Sequence, residues 1–409
     1  MQTHLAPEFA GTPEGQEAEA ILRKCVHCGF CTATCPTYQL LGDELDGPRG
    51  RIYLIKQVLE GEQPTRRTQL HLDRCLTCRN CESTCPSGVQ YGHLADIGRR
   101  IVEEKVPRGT GSRLLRWALK EGLTSPAFGP AMKLGQAVRG LLPRALKDKV
   151  PEPRPAGRWP TATHARKVLM LAGCVQPALA PNINSATARV LDAAGIQVLL
   201  APQAGCCGAV KFHLNDQAGG LAQMRRNVDA WWPYVERGEV EAVVMNASGC
   251  GVTVREYGHH LRLDPAYADK AARISALTRD LSELLPDLVP ALQPRLKAPA
   301  GVLAYHPPCT LQHGQQLRGG VETHLRQLGF DVRVAANEAH LCCGSAGTYS
   351  VLHPDIARTL RDRKLGHLAD LQPQAVISAN IGCITHLQSG TALPVRHWVE
   401  VLDAALAAG

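Results

Sequence analysis

The chain has 409 residues and carries 45 Lys and Arg against 37 Asp and Glu, a net charge of +8. That length predicts two or three domains, and so diffuse a basic excess argues against nucleic acid as a partner. Hydrophobic residues make up 44% and aromatics only 4%, so aliphatic side chains must fill the core.

Met1 to Gly15 is polar, with Pro7 and Pro13, and lacks the apolar centre of a signal peptide. No stretch of eighteen apolar residues appears, so no membrane-spanning helix is predicted. The expectation is a cytoplasmic protein whose sixteen cysteines stay reduced and available to metal.

The first unit spans 16–104. Ala18 to Lys24 reads as a helix leading into Cys25-x-x-Cys28-x-x-Cys31-x-x-x-Cys35-Pro36, and a second run of the same form follows, Cys75-x-x-Cys78-x-x-Cys81-x-x-x-Cys85-Pro86. Three closely spaced thiolates on a tight turn cap three irons from one side, and the proline after the fourth turns the backbone away. Such runs signal [4Fe–4S] clusters. Zinc favours two separate Cys-x-x-Cys pairs, which these runs fit poorly. In two-cluster ferredoxins the fourth cysteine serves the other cluster. Carried over, Cys25, Cys28, Cys31 and Cys85 hold one cluster, and Cys75, Cys78, Cys81 and Cys35 hold the second.

Between the runs, Ile52, Ile55 and Leu59 recur at helical spacing from Arg51 to Leu59, and Val89 to Glu104 reads as another helix. So long an insert suggests an α-helical ferredoxin domain, similar to that of succinate dehydrogenase iron–sulfur subunits. Arg49, Arg51, Arg74 and Arg79 flank the clusters, either raising their potential or standing as solvated charge. A connector, 105–165, interleaves basic and apolar residues through Arg113 to Lys120 and Leu141-Leu142-Pro143-Arg144. It reads either as a helix packed on a folded unit or as a patch that meets lipid head groups.

Residues 166–295 and 296–409 are two copies of one pattern. Cys174, Cys206-Cys207-Gly208 and Cys250 recur as Cys309, Cys342-Cys343-Gly344 and Cys383, at near-constant offset. Short β-branched runs at Val168, Val243, Val302 and Val376 alternate with helical stretches such as Ile183–Ala194 and Val321–Leu328, which predicts parallel α/β sheets. The cysteines fall at carboxyl ends of strands, where such sheets bind ligands, and both copies are expected to converge on one site between them. The fold class expected is therefore α+β multidomain, a helical ferredoxin domain followed by a duplicated α/β Cys-Cys-Gly domain. Four thiols per copy suffice by count for one further iron–sulfur cluster each. The competing reading is buried small hydrophobes or a redox dithiol. His306, His313 and His386 lie near these cysteines, as structural residues or as ligands and proton relays; Trp231-Trp232 reads as packing.

Two ferredoxin runs followed by two Cys-Cys-Gly domains resemble the iron–sulfur subunits of glycolate oxidase, lactate-utilisation and anaerobic glycerol-3-phosphate dehydrogenase systems, with heterodisulfide reductases as wider relatives. The stretches Cys25-Val-His-Cys28-Gly-Phe-Cys31, Gly47-Pro-Arg-Gly-Arg51-Ile and Asp73-Arg-Cys75-Leu-Thr-Cys78 look most like the glycolate oxidase subunit. The resemblance implies an electron-transfer subunit, inactive alone, within a 2-hydroxy-acid oxidoreductase complex. Partner subunits would hold FAD and oxidise glycolate to glyoxylate, and a quinone or other acceptor at the inner face of the cytoplasmic membrane would take the electrons. No G-x-G-x-x-G follows a strand here, in keeping with a flavin held elsewhere. One departure stands out. Heterodisulfide reductases end each Cys-Cys-Gly domain in Cys-x-x-Cys, whereas this chain has Ala247 and Asn380 in place of the first cysteine. That argues against disulfide reduction by the chain itself.

Overall fold

The computed structural model describes residues 1–141, 143 and 150–407, so Leu142 and Arg144 of the connector lie outside it. Among the described residues, 1–141 contains helices and turns and no strand. Thr12 caps the Pro13–Lys24 helix by accepting from the Gly15 amide at 3.0 Å, and Pro13 presets its first turn. The helix therefore begins five residues before Ala18. Pro48 likewise opens the Pro48–Leu59 helix, whose buried face includes Ile52, Ile55 and Leu59. The Tyr91–Lys105 helix buries Leu94, Ile101 and Val102 against these two. Gly98 makes the approach possible: a Cβ there would fall 2.5 Å from Ile55 Cγ1.

Two four-stranded parallel sheets follow. Strands β1 (Arg166–Met170), β2 (Ile196–Leu199), β3 (Ala242–Met245) and β4 (Thr278–Asp280) run in the order β2-β1-β3-β4. Strands β5 (Val302–Tyr305), β6 (Asp331–Val334), β7 (Ala375–Ser378) and β8 (Val395–His397) repeat it as β6-β5-β7-β8. Central strands covered on both faces are apolar throughout, as β3 is, with all four residues buried. One apolar cluster runs through both sheets, from Val168 and Val244 to Leu303, Ile377 and Trp398. The last helix, Trp398–Ala407, crosses back onto the Asn182–Ala193 helix of the first copy, where Arg189 pairs with Asp403 at 2.7 Å.

The connector helices Thr110–Thr124 and Phe128–Ala137 bury no residue. The first is turned inside out. Arg116 and Lys120 reach Asp73 and Asp216, and Glu121 accepts from Lys211. Leu114 and Trp117 are 63% and 57% exposed. The charged stripe, not the apolar one, faces the body.

Candidate metal centres

Both cysteine runs wrap through left-handed backbone at matching places. His27 and Gly29 have φ of 57° and 84°; Thr77 and Arg79 have 51° and 58°. These reversals, two residues apart, fold each loop around its thiols. The short helices Phe30–Ala33 and Asn80–Thr84 then cross, with Thr34 and Thr84 hydroxyls 3.1 Å apart.

Two cavities lie in this unit. One is lined by Cys25, Cys28, Cys31, Cys81 and Cys85. The other is lined by Cys35, Cys75, Cys78 and Cys81. Pro48, Cys81 and Tyr91 line both. Each wall thus gathers three cysteines of one run and the fourth of the other, with Cys81 common to both. Four thiols around a mainly apolar hollow are the donor set that a [4Fe–4S] cluster requires, so the residues fit that group.

Their settings differ. Cys28 is exposed, with Val26 and Phe30 beside it 67% and 60% exposed. Cys78 is buried, and its thiol is pushed up first by burial and then by the neighbouring Cys309. Cys78, Leu76, Cys309 and Cys342 share one apolar cluster. Hydrogen bonds fasten the second run there: Asn80 to the His340 carbonyl at 3.3 Å, His313 Nδ1 with Ser83 Oγ at 3.0 Å, and Tyr349 to the Arg74 carbonyl at 2.9 Å.

None of the four flanking arginines is simply solvated. Arg49 pairs with Glu44, Arg74 with Asp46, and Arg79 with Glu256. Arg51 is 1% exposed and donates to the His71 carbonyl at 2.7 Å and Thr37 Oγ1 at 3.1 Å. Sequence reasoning missed Arg99, which donates to the carbonyls of Leu72 and Cys75 from the Tyr91–Lys105 helix. Burial alone would raise the Cys75 thiol, but Arg51 and Arg99 outweigh it and hold the group below the ordinary thiol range. Arg99 lies 24 residues from Cys75, so only the packing of two helices reveals it.

The Cys-Cys-Gly thiols gather separately in each copy. Cys174, Cys206, Cys207 and Cys250 form a hydrogen-bonded series, in which Cys174 and Cys207 draw Cys206 well down. Cys309 and Cys342 stand 3.8 Å apart, and Cys343 bonds both Cys342 and Cys383. Gly208 and Gly344, with φ of 98° and 90°, make the turns. The expected single site between the copies is therefore corrected to one thiol set per copy, because each sheet delivers its own strand ends to its own turn. The copies meet instead at helix starts: Asn380 Oδ1 accepts from the Gly249 amide at 3.3 Å, and Ser248 bonds Thr310 at 2.7 Å. Asn380, where a cysteine is missing, thus joins the two halves.

The three histidines separate. His313 Nε2 donates to the His340 carbonyl at 2.9 Å, and His386 bonds the Ala357 carbonyl at 3.1 Å, both structural contacts. His306 instead faces Cys343 and Cys383. Trp231 is buried and stacks on Tyr257, as a packing residue does.

Comparison with known proteins agrees with this layout. Residues 21–89 match the 4Fe–4S dicluster domain family, and 168–255 and 303–388 each match the cysteine-rich domain family. The chain is 55% identical to the glycolate oxidase iron–sulfur subunit of Escherichia coli (strain K12), over 99% of both chains. It belongs to the family of glycolate oxidase iron–sulfur subunits. The probable glycolate oxidase iron–sulfur subunit of Bacillus subtilis (strain 168) is 29% identical over 91% of this chain and 89% of its own. Lactate utilization protein A of Geobacillus thermodenitrificans (strain NG80-2) is 27% identical over 58% of this chain and 98% of its own. As a member of the glycolate oxidase subunit family, the chain carries [4Fe–4S] clusters in its dicluster domain, and its fold is the helical and duplicated α/β combination expected.

Proposed function

We propose that this chain is the iron–sulfur electron-transfer subunit of a glycolate oxidase complex. Flavin-bearing subunits remove two electrons and two protons from glycolate to give glyoxylate, and the electrons pass through this chain toward a quinone or other membrane acceptor. Bound [4Fe–4S] clusters supply the one-electron steps. The single observation that carries the reading is the gradient of burial along the cysteines, from exposed Cys28 to Cys78 packed beside Cys309 and Cys342. The rim formed by Val26, Phe30 and Tyr53 offers a donor subunit an apolar landing surface. The buried end leads into the Cys-Cys-Gly repeats.

The connector supplies the contact with the cytoplasmic face of the membrane. No described helix is long and apolar enough to cross a bilayer, so the contact is peripheral. Outward-facing Leu114, Leu115 and Trp117 suit the acyl boundary. Arg113 and Lys133 of the same segment are exposed and suit anionic head groups.

The test is anaerobic purification of the chain alone and from its native complex. Alone, it should show reducible iron–sulfur absorption and no glycolate oxidation. In the complex, a flavoprotein should accompany it. Glycolate oxidation by the isolated chain would overturn the reading, and so would a protein free of iron.

A further inference from the structure

His306 sits where β5 ends, at the carboxyl edge of the second sheet. Its main chain is fully engaged: the amide donates to the Ile377 carbonyl at 2.8 Å, and the carbonyl accepts from Ser378 Oγ at 2.9 Å. Its side chain is not. The residue is 1% exposed, and neither Nδ1 nor Nε2 has a hydrogen-bond partner. A buried polar group left in that state is costly, and native structures rarely leave one without a purpose.

The surroundings name the missing partner. The ligand atoms of His306, Cys343 and Cys383 lie within 4.8 Å of one another, and all three residues are buried. Cys342 and then Cys309 continue the group, with 3.8 Å between their sulfurs. The buried Lys364, whose ammonium bonds the Glu338 carbonyl, faces Cys309, Cys342 and Cys343 and balances thiolate charge. The first copy lacks the imidazole, since Leu171 occupies the corresponding place three residues before Cys174. The first copy is therefore an all-thiol set and the second a mixed one.

We propose that His306 is an imidazole ligand of an iron–sulfur centre in the second Cys-Cys-Gly repeat, together with Cys309, Cys342, Cys343 and Cys383. It supplies the donor that Asn380, in the position of a fifth cysteine, does not. The ring nitrogen donates its lone pair to iron, and no electron changes hands in forming the bond. This rests on the electron-transfer reading above and extends it. A neutral imidazole in place of a thiolate leaves the centre less negative, which raises its reduction potential, as histidine ligation does in other iron–sulfur proteins.

The full chain, labelled with 15N-histidine and prepared anaerobically, provides the test. Pulsed EPR of the partly reduced protein should show a histidine nitrogen coupled to one centre. H306C should keep its iron, lose that coupling and lower that centre's potential, while the ferredoxin signals stay in place. Three results would each overturn the assignment: a third centre without nitrogen coupling, a coupling that survives in H306C, or about eight irons with zinc in the second repeat. The last would leave electron transfer through the ferredoxin clusters intact, whereas a protein without iron would remove both proposals.

Discussion

Arg79 holds Glu256 through both terminal nitrogens, with Nη2 2.8 Å from Oε2. Arg79 stands between Cys78 and Cys81, in left-handed backbone where the first run has Gly29. A non-glycine residue there is strained by about 1–2 kcal/mol, and the ion pair offsets that strain while anchoring the second run to the first Cys-Cys-Gly copy. His93 Nε2 approaches the same carboxylate at 3.2 Å.

Glu256→Gln leaves a nearly buried guanidinium without its counter-charge. Removing one partner of such a pair costs about 3–5 kcal/mol. An anaerobic urea titration should show this loss, and hydrogen exchange should rise first around residues 79–93. Unchanged stability would mean that the run is held by its contacts with the second copy alone.

The cavity walls predict which cluster each cysteine serves. Cys35→Ser should abolish the signal of the cluster held by Cys75, Cys78 and Cys81, although Cys35 belongs to the first run. Cys31→Ser should abolish the other. EPR of the two variants separates the cases, and loss of the same signal in both would refute cross-ligation.

At Gly344 an added Cβ would lie 2.5 Å from the Ala357 carbonyl oxygen, and φ is 90°. Gly344→Ala should therefore destabilise the chain by more than the roughly 1 kcal/mol that left-handed backbone alone imposes. It should also remove metal from the second repeat while sparing the ferredoxin clusters. Gly208→Ala meets the Gly220 carbonyl at 2.8 Å and should do the same in the first.

Asp280 caps the turn after β4 through Ser282, and Gln315 of the second copy bonds it at 3.3 Å. Burial raises its carboxyl to about 6, against an ordinary 3.8. Between those values the folded chain keeps a proton that the unfolded chain releases, so this group's contribution falls as pH rises from about 4 to about 6. The loss is complete above that range and amounts to about 3 kcal/mol. Asparagine caps equally well and does not titrate. Asp280→Asn should gain stability relative to the parent as urea midpoints are taken from pH 4.5 to 7. Parallel curves would rule this out.

Trp117 and Leu114 point outward from a helix whose charges point inward. Replacing both with serine should weaken sedimentation with phosphatidylglycerol vesicles by about tenfold, equivalent to about 1.4 kcal/mol, and leave the ion pairs with Asp73 and Asp216 in place. Equal binding by the variant would exclude this face as the lipid contact.

Much of this protein is legible along the chain. Cluster cysteines announce themselves because a cluster needs several sulfurs from a short loop, and Pro36 and Pro86 mark where each loop ends. The duplication shows because two copies keep the same order of Cys, Cys-Cys-Gly and Cys. The sheets show because buried parallel strands such as Ala242–Met245 are apolar at every position. Helix starts are less legible, since Thr12–Pro13 and Gly47–Pro48 begin their helices before the apolar spacing becomes visible.

Other features exist only in three dimensions. Arg99 reaches Cys75, His306 turns toward Cys343 and Cys383, and Cys78 meets Cys309 across more than two hundred residues of chain. Local spacing carries no record of such meetings, because they depend on how finished helices and sheets pack. The same holds for the connector, where alternating basic and apolar residues fit either orientation. Asp73, Asp216 and Lys211, each brought in by a different element, decided which stripe would face water.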